Sequence, residues 1–274
     1  MRAWWRSIWY NIGMNPVVRR TVAALTTAAL VVCAMVFVPF KFALPVAILL
    51  TALVQLEFYQ MIARKHETIA WLGVGMGLVM LCGTFYAGAG RRDVAALLLG
   101  CGFAVSWLVV LFGRYRSPLV ALGTTWLGII YIPLMLTFFI MTAKCHGMLM
   151  LLYIVAIVKF SDMGGFAVGM AFGKHKMCPT ISPKKSWEGM AGSIAGSVLM
   201  SLAFIPMTDF VWWKAAVFGV VAAIVGTLGD LVESRFKREC EVKDSATFMP
   251  AGMGGFLDMF DSLIFAPAVL LPFI

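Results

Sequence analysis

The sequence predicts an all-α, polytopic integral membrane protein with about nine transmembrane helices and a cytoplasm-facing polar site in its C-terminal half. Three observations carry this. Mean hydropathy is +0.93 and only 13% of residues are charged, where a soluble domain carries about a quarter. The apolar residues form successive runs, each near the length of about 20 residues that a helix needs to cross a bilayer. The polar exceptions gather in one stretch, Gly229 to Ser262, with seven acidic and four basic residues in a chain that is 62% hydrophobic.

The elements follow in order. Residues 1–20 hold Arg2, Arg6, Arg19 and Arg20, with Trp5, Ile8, Trp9 and Ile12 at helical spacing, and read as an amphipathic segment on the membrane surface. Thr21 to Phe40 is long enough to span and lacks a small-residue cleavage site, so it reads as an anchor and not a leader. Further runs at about 43–62, 69–88, 94–112, 119–141, 147–171, 188–207, 211–233 and 255–273 bring the candidate spans to nine. If alternate loops share a side with the N-terminus, that side carries sixteen Lys and Arg and the other carries five. Such a bias puts the N-terminus and the charged loops in the cytoplasm.

The formal charge is +9, but the basic residues lie in short patches between apolar runs. Lipid headgroups and nucleotide phosphates therefore fit better than nucleic acid. The six cysteines form no C-x-x-C pair, so neither a zinc site nor a disulfide framework is implied.

Small residues recur at four-residue spacing, as Gly73 with Gly77, and as Gly165, Gly169 and Gly173 beside Gly164, and predict close helix packing. Charges inside spans are Glu57, Lys159 and Asp162. An ionised group at mid-bilayer costs roughly 3 kcal/mol, so each must be paired, interfacial or turned to a wet cavity. For Glu57, two turns before Arg64, a structural pairing near the cytoplasmic end and a functional role are both open.

On a helix, Asp230, Glu233, Ser234 and Lys237 stand at i, i+3, i+4 and i+7 and share a face. Asp258 and Asp261 repeat the i, i+3 spacing at the head of the last apolar run, after the turn Pro250 to Gly255. Paired carboxylates across a basic loop suit a hard cation with a polyphosphate, because both need oxygen ligands and cationic neighbours. Asp230 and Asp258 are the expected metal ligands. Upstream, Ser182, Pro183, Lys184 and Lys185 form a basic turn ahead of a helix that Ser186, Glu188 and Gly189 open, and its free N–H groups attract anions. His175 has no second His or Cys placed to complete a transition-metal site.

These residues carry a resemblance. The stretch from Ser234 is similar to the signature of the phosphatidate cytidylyltransferases (CDP-diacylglycerol synthases), S-x-x-K-R-x4-K-D-x-[GSA]-x2-[LIF]-P-x-H-G-G-x-x-D-R-x-D. Ser234, Lys237, Arg238, Lys243, Asp244, Ala246, Pro250, Gly254, Gly255, Asp258 and Asp261 match it. Asp162, Lys174 and the run Ser182 to Gly189 resemble the same family upstream. Three positions depart: Met249 replaces the [LIF], P-A-G-M-G-G is one residue longer and lacks the histidine, and Met259 stands where the family has Arg. No role is carried over for those two side chains.

The resemblance implies that CTP and phosphatidate give CDP-diacylglycerol and diphosphate, with Mg2+ as cofactor and room for a second cation. It implies catalytic roles for Asp230, Asp258, Asp261, Asp244, Lys237 and Lys243, and substrate contacts from Asp162, Ser182, Lys184, Lys185, Ser234 and Arg238. The segments implied are 1–20, an amphipathic N-terminal segment; 21–145, N-terminal transmembrane helices; and 146–274, a C-terminal catalytic transmembrane region. The partners are CTP, phosphatidate and membrane lipids, with a homodimer allowed. The expected location is a bacterial cytoplasmic (inner) membrane. The rival enzyme is a CTP-dependent lipid alcohol kinase of the dolichol-kinase type, which attacks the γ-phosphorus and releases CDP. A cation-coupled transporter needs mid-span charges in both halves, often with internal repeats, and here the charge gathers in the C-terminal half.

Overall fold

A computed structural model describes residues 42–87, 92–242, 245 and 255–274. The amphipathic segment, the first anchor, Lys243, Asp244 and the turn up to Gly254 lie outside the described residues.

The apolar runs become helices: α1 Ala43–Ile62, α2 Ala70–Tyr86, α3 Arg92–Phe112, α4 Pro118–Ile129 and α5 Met135–Phe172. After a two-stranded antiparallel ribbon, β1 Lys176–Cys178 with β2 Ser182–Ser186, come α6 Trp187–Ala203, α7 Trp212–Glu239, α8 Phe256–Phe260 and α9 Ala266–Leu270. Three helical stretches among the described residues are long and apolar enough to cross a membrane: Leu44–Ile62, Pro118–Phe172 and Trp212–Glu239. Two more, Ala70–Tyr86 and Ala96–Phe112, are apolar but shorter. Large apolar side chains such as Trp71, Leu111, Phe112, Phe166 and Leu199 are exposed along these helices. Faces of this kind belong in lipid.

Pro118 starts α4 at a position where its missing N–H costs nothing. Pro133 would break the ladder further on, and the chain passes it in a wide turn over Ile130–Leu134 before α5 begins. The stretch from Pro118 to Phe172 covers 55 residues, roughly 80 Å if straight, too long for one crossing. Gly147 breaks it with φ 85°, a backbone conformation that glycine adopts without strain. Tyr131 packs on Phe236 near one end of α7, Tyr153 packs on Phe210 and Phe218 near the other, and Arg238 reaches Ile181 just beyond the end of α5. The chain therefore runs out and back, as the two apolar runs 119–141 and 147–171 predict.

Both small-residue series pack helices as expected. A Cβ on Gly73 would strike the Tyr59 ring and one on Gly77 would strike Gln55, whose Nε2 donates to Gly73 O at 3.1 Å. Between α5 and α6, Gly164, Gly165 and Gly169 meet Gly189, Gly192, Ser193 and Gly196. A Cβ on Gly192 would lie 2.5 Å from Val168 Cβ and 2.6 Å from Gly164 O. Gly192→Ala should thus destabilise the pair by about 1–3 kcal/mol, visible as a lower melting temperature in detergent. An unchanged melting temperature would show that α6 can shift freely.

α7 closes with Glu241 in the left-handed region at φ 56° and Val242 N donating to Lys237 O at 2.9 Å. A 2.8 Å hydrogen bond from Lys65, in the α1–α2 loop, holds the Glu241 carboxyl below its ordinary range.

One expectation needs correction. The apolar run 255–273 is not one continuous helix: α8 and α9 have five residues each, joined by a turn over 261–265. Pro267 in the first turn of α9 cannot continue the ladder from α8, and Pro272 stops it again. Broken backbone at membrane depth is tolerated only where protein covers it. Leu257, Leu263, Ile264, Ala266 and Leu270 are accordingly buried.

Candidate active site

The site is built on α7. The spacing predicted from sequence holds, and Asp230, Glu233, Ser234 and Lys237 all fall within this one helix. Asp230 Oδ2 pairs with Lys185 Nζ at 2.8 Å, and its Oδ1 accepts from Ser234 Oγ at 3.3 Å. Lys185, carried in by β2, also donates to Thr227 O at 2.9 Å. Glu233 is 0% exposed. Its Oε2 lies 3.1 Å from Lys237 Nζ, while Oε1 is buried with no hydrogen-bond partner of ordinary geometry among the described residues.

The broken last segment supplies the opposite wall. Asp258, in the first turn of α8, pairs with Lys237 Nζ at 2.7 Å and accepts from the backbone N–H groups of Gly255 at 2.6 Å and Ser245 at 3.4 Å. Asp261 follows at the end of α8. Carboxylate oxygens of Asp230, Glu233 and Asp261 all lie within 4.8 Å of one another. Asp261 reaches them because its backbone rests on α7 at glycines: a Cβ on Gly229 would lie 2.3 Å from Asp261 O, and one on Gly226 would lie 3.4 Å from Ser262 O.

Three converging carboxylates, with lysines only at their edges, are electrostatically incomplete. An oxygen-rich, negatively charged cluster, with a buried oxygen that has no partner of ordinary geometry among the described residues, fits a hard divalent cation.

Asp162 and Lys159, on α5, border the cluster through Ser262. Ser262 Oγ donates to Asp162 Oδ2 at 2.9 Å, and Ser262 N donates to Asp261 Oδ1. Beside the site, Ser186 caps α6 by accepting from Gly189 N at 3.1 Å, and Trp187 N donates to His175 O at 3.0 Å, so the first N–H groups of that helix are already engaged. Glu188 braces the approach: it accepts from the backbone N–H groups of Lys174 and His175 at 3.2 Å and meets His175 Nδ1 at 2.6 Å. Lys184 is exposed, and Arg238 donates to Ile181 O at 3.4 Å.

Comparison with known proteins shows the family. Residues 18–274 match the model of the cytidylyltransferase family. A phosphatidate cytidylyltransferase of Haemophilus influenzae is 32% identical over 279 residues, covering 89% of this chain and 94% of that one. One from Staphylococcus aureus is 33% identical over 78% of this chain and 82% of its own length. One from Mycobacterium tuberculosis is 45% identical over 108 residues, 38% of this chain. The chain belongs to the cytidylyltransferase family.

For this cytidylyltransferase, most of the residues singled out from sequence can be placed. Asp230, Asp261, Ser234, Lys185, Lys237, Asp258 and Asp162 form one connected set through Glu233 and Ser262, while Ser182 and Lys184 lie on β2 with Lys185, and Arg238 donates to Ile181 O beside that strand. Lys243 and Asp244 lie outside the described residues. Asp258, paired with Asp230 on sequence grounds, is set on Lys237, and Asp261 with Glu233 stands nearest to Asp230. Sequence reasoning did not find Ser262, whose bond to Asp162 spans 100 residues, and no local pattern marks it. Glu57 accepts from Leu257 N at 3.1 Å. That tie, from α1 to the start of α8, was equally invisible in the local spacing that suggested Arg64.

Proposed function

We propose that this site transfers the cytidylyl group of CTP to phosphatidate, giving CDP-diacylglycerol and diphosphate at the cytoplasmic face of a bacterial inner membrane. One observation supports it most: carboxylate oxygens of Asp230, Glu233 and Asp261 converge within 4.8 Å of one another, with Lys185 and Lys237 on either side. Asp230, Asp261 and Glu233 would hold Mg2+, and Asp258 fixes Lys237 beside them. Bound there, the ion supplies charge neutralisation for the triphosphate and for the departing diphosphate.

A phosphate oxygen of phosphatidate attacks the α-phosphorus of CTP as the bond to the β-phosphate breaks. The lipid phosphate is already ionised, so no side chain has to take a proton and no histidine is required. The chain's residues bind and orient. Lys185 and Lys237, with Lys184 and Arg238, hold phosphate oxygens as charge-assisted donors. Ser234 keeps Asp230 turned inward. The nine-span topology with a cytoplasmic N-terminus rests on the basic-residue bias.

Purified protein, given labelled CTP with and without phosphatidate and Mg2+, should form labelled lipid and release diphosphate. Release of CDP in place of diphosphate would favour the lipid alcohol kinase. Lys185→Ala should lower activity about tenfold or more, the effect of losing a charge-assisted bond of about 1.5–3 kcal/mol. Near wild-type activity at subsaturating CTP would remove Lys185 from the site.

A further inference from the structure

Lys159 is a charged residue on an apolar helix face. At 100° per residue, Lys159 shares one side of α5 with Met148, Leu152, Ala156, Met163, Phe166 and Met170. Met163, Phe166 and Met170 are exposed. A charge retained in such surroundings marks function or tight pairing, and the pairing here is not tight. Lys159 Nζ stands 3.4 Å from Asp162 Oδ2, 3.2 Å from Met259 O and 3.2 Å from Ser262 Oγ. The other lysines of the site have contacts of 2.8 Å and 2.7 Å and side chains 20% and 14% exposed, at Lys185 and Lys237 in turn. The Lys159 side chain is 41% exposed. It is thus the least committed of these three cations, open on the apolar side, and Ser262 links it directly to Asp261.

We propose that Lys159 receives the phosphate of the lipid substrate as that lipid enters sideways from the bilayer, with its acyl chains along the apolar face of α5. The inference rests on the transferase reading above and adds the route and the binding group. A phosphomonoester is dianionic and small enough to replace the three long contacts of the ammonium. Asp162 remains engaged, since Ser262 Oγ donates to it at 2.9 Å. The face from Met148 to Lys159 runs about 16 Å, enough to lie against much of one acyl chain.

Full-length protein in mixed micelles tests this, with the phosphatidate mole fraction varied at saturating CTP and CTP varied at saturating phosphatidate. Lys159→Gln should raise the apparent KM for phosphatidate about tenfold or more, with the KM for CTP unchanged, and Lys159→Arg should restore it. Lys159→Met keeps side-chain length and suits a span better than lysine, so it should fold and show the same selective loss. If wild type is active and the Gln and Met variants keep its phosphatidate KM, the inference is overturned. It is also overturned if only the CTP constant rises, which would assign Lys159 to the nucleotide phosphates. A wild type that forms no CDP-lipid would instead bring down the transferase reading itself.

Discussion

Replacing Asp230 with asparagine is expected to lower turnover about a thousandfold, the equivalent of about 4 kcal/mol of lost transition-state stabilisation, while the protein still inserts and folds. Asparagine keeps the shape of the side chain but removes its charge. Asp230 is the point where three features of the site converge: Lys185 pairs with it, Ser234 orients it, and Glu233 and Asp261 face it. Removing its charge weakens cation binding and frees Lys185 from its 2.8 Å partner. Folding should survive, because Asp230 is only half-buried and the cores around Phe58 and Tyr153 do not depend on it. Titration with Mg2+ checks the assignment, since excess cation should recover part of the activity. Wild-type turnover at limiting Mg2+ would remove Asp230 from the metal site.

Such a prediction could be framed on sequence alone because the face of α7 is a local pattern. Helical periodicity puts residues 230, 233, 234 and 237 together whatever the rest of the chain does. The same holds for the α5 and α6 glycines, whose spacing already implies close approach. What stayed hidden was nonlocal. The last apolar run reads as a span by composition, yet composition reports only that the segment avoids water, not whether lipid or protein covers it. Pro267 and Pro272 were visible in the sequence, and the burial of Leu263 and Ile264, which makes a broken segment tolerable, was not. Asp258 and Asp261 keep their i, i+3 relation in α8 and its C-cap, and across the gap to α7 Asp258 meets Lys237 while Asp261 joins the cluster. Glu57 with Leu257 and Ser262 with Asp162 lie 200 and 100 residues apart, beyond the reach of any spacing argument.

Gly229→Ala should cost about a hundredfold in activity, although it adds a single methyl group and removes no functional atom. A Cβ at this position would lie 2.3 Å from Asp261 O and 3.3 Å from Asp261 C. The obstacle is backbone, which no rotamer change can clear. Asp261 must therefore move away from α7 by roughly an ångström to reach ordinary contact, and displacements of that size cost about a hundredfold when they shift a positioned group. Asp230 and Glu233 would keep their places on the helix and lose the third carboxylate of the cluster. The neighbouring glycine provides the control. A Cβ on Gly226 would meet Ser262 O and Val158 Cγ1 at 3.4 Å, which is ordinary contact, so Gly226→Ala should stay near wild type. Both variants add one methyl group to the same helix, so a difference between them reports position and not helix propensity. Kinetics at several Mg2+ concentrations make the comparison, with thermal stability followed in parallel. Equal activities for the two variants would show that the contact between α7 and the Asp261 backbone does not hold the site together.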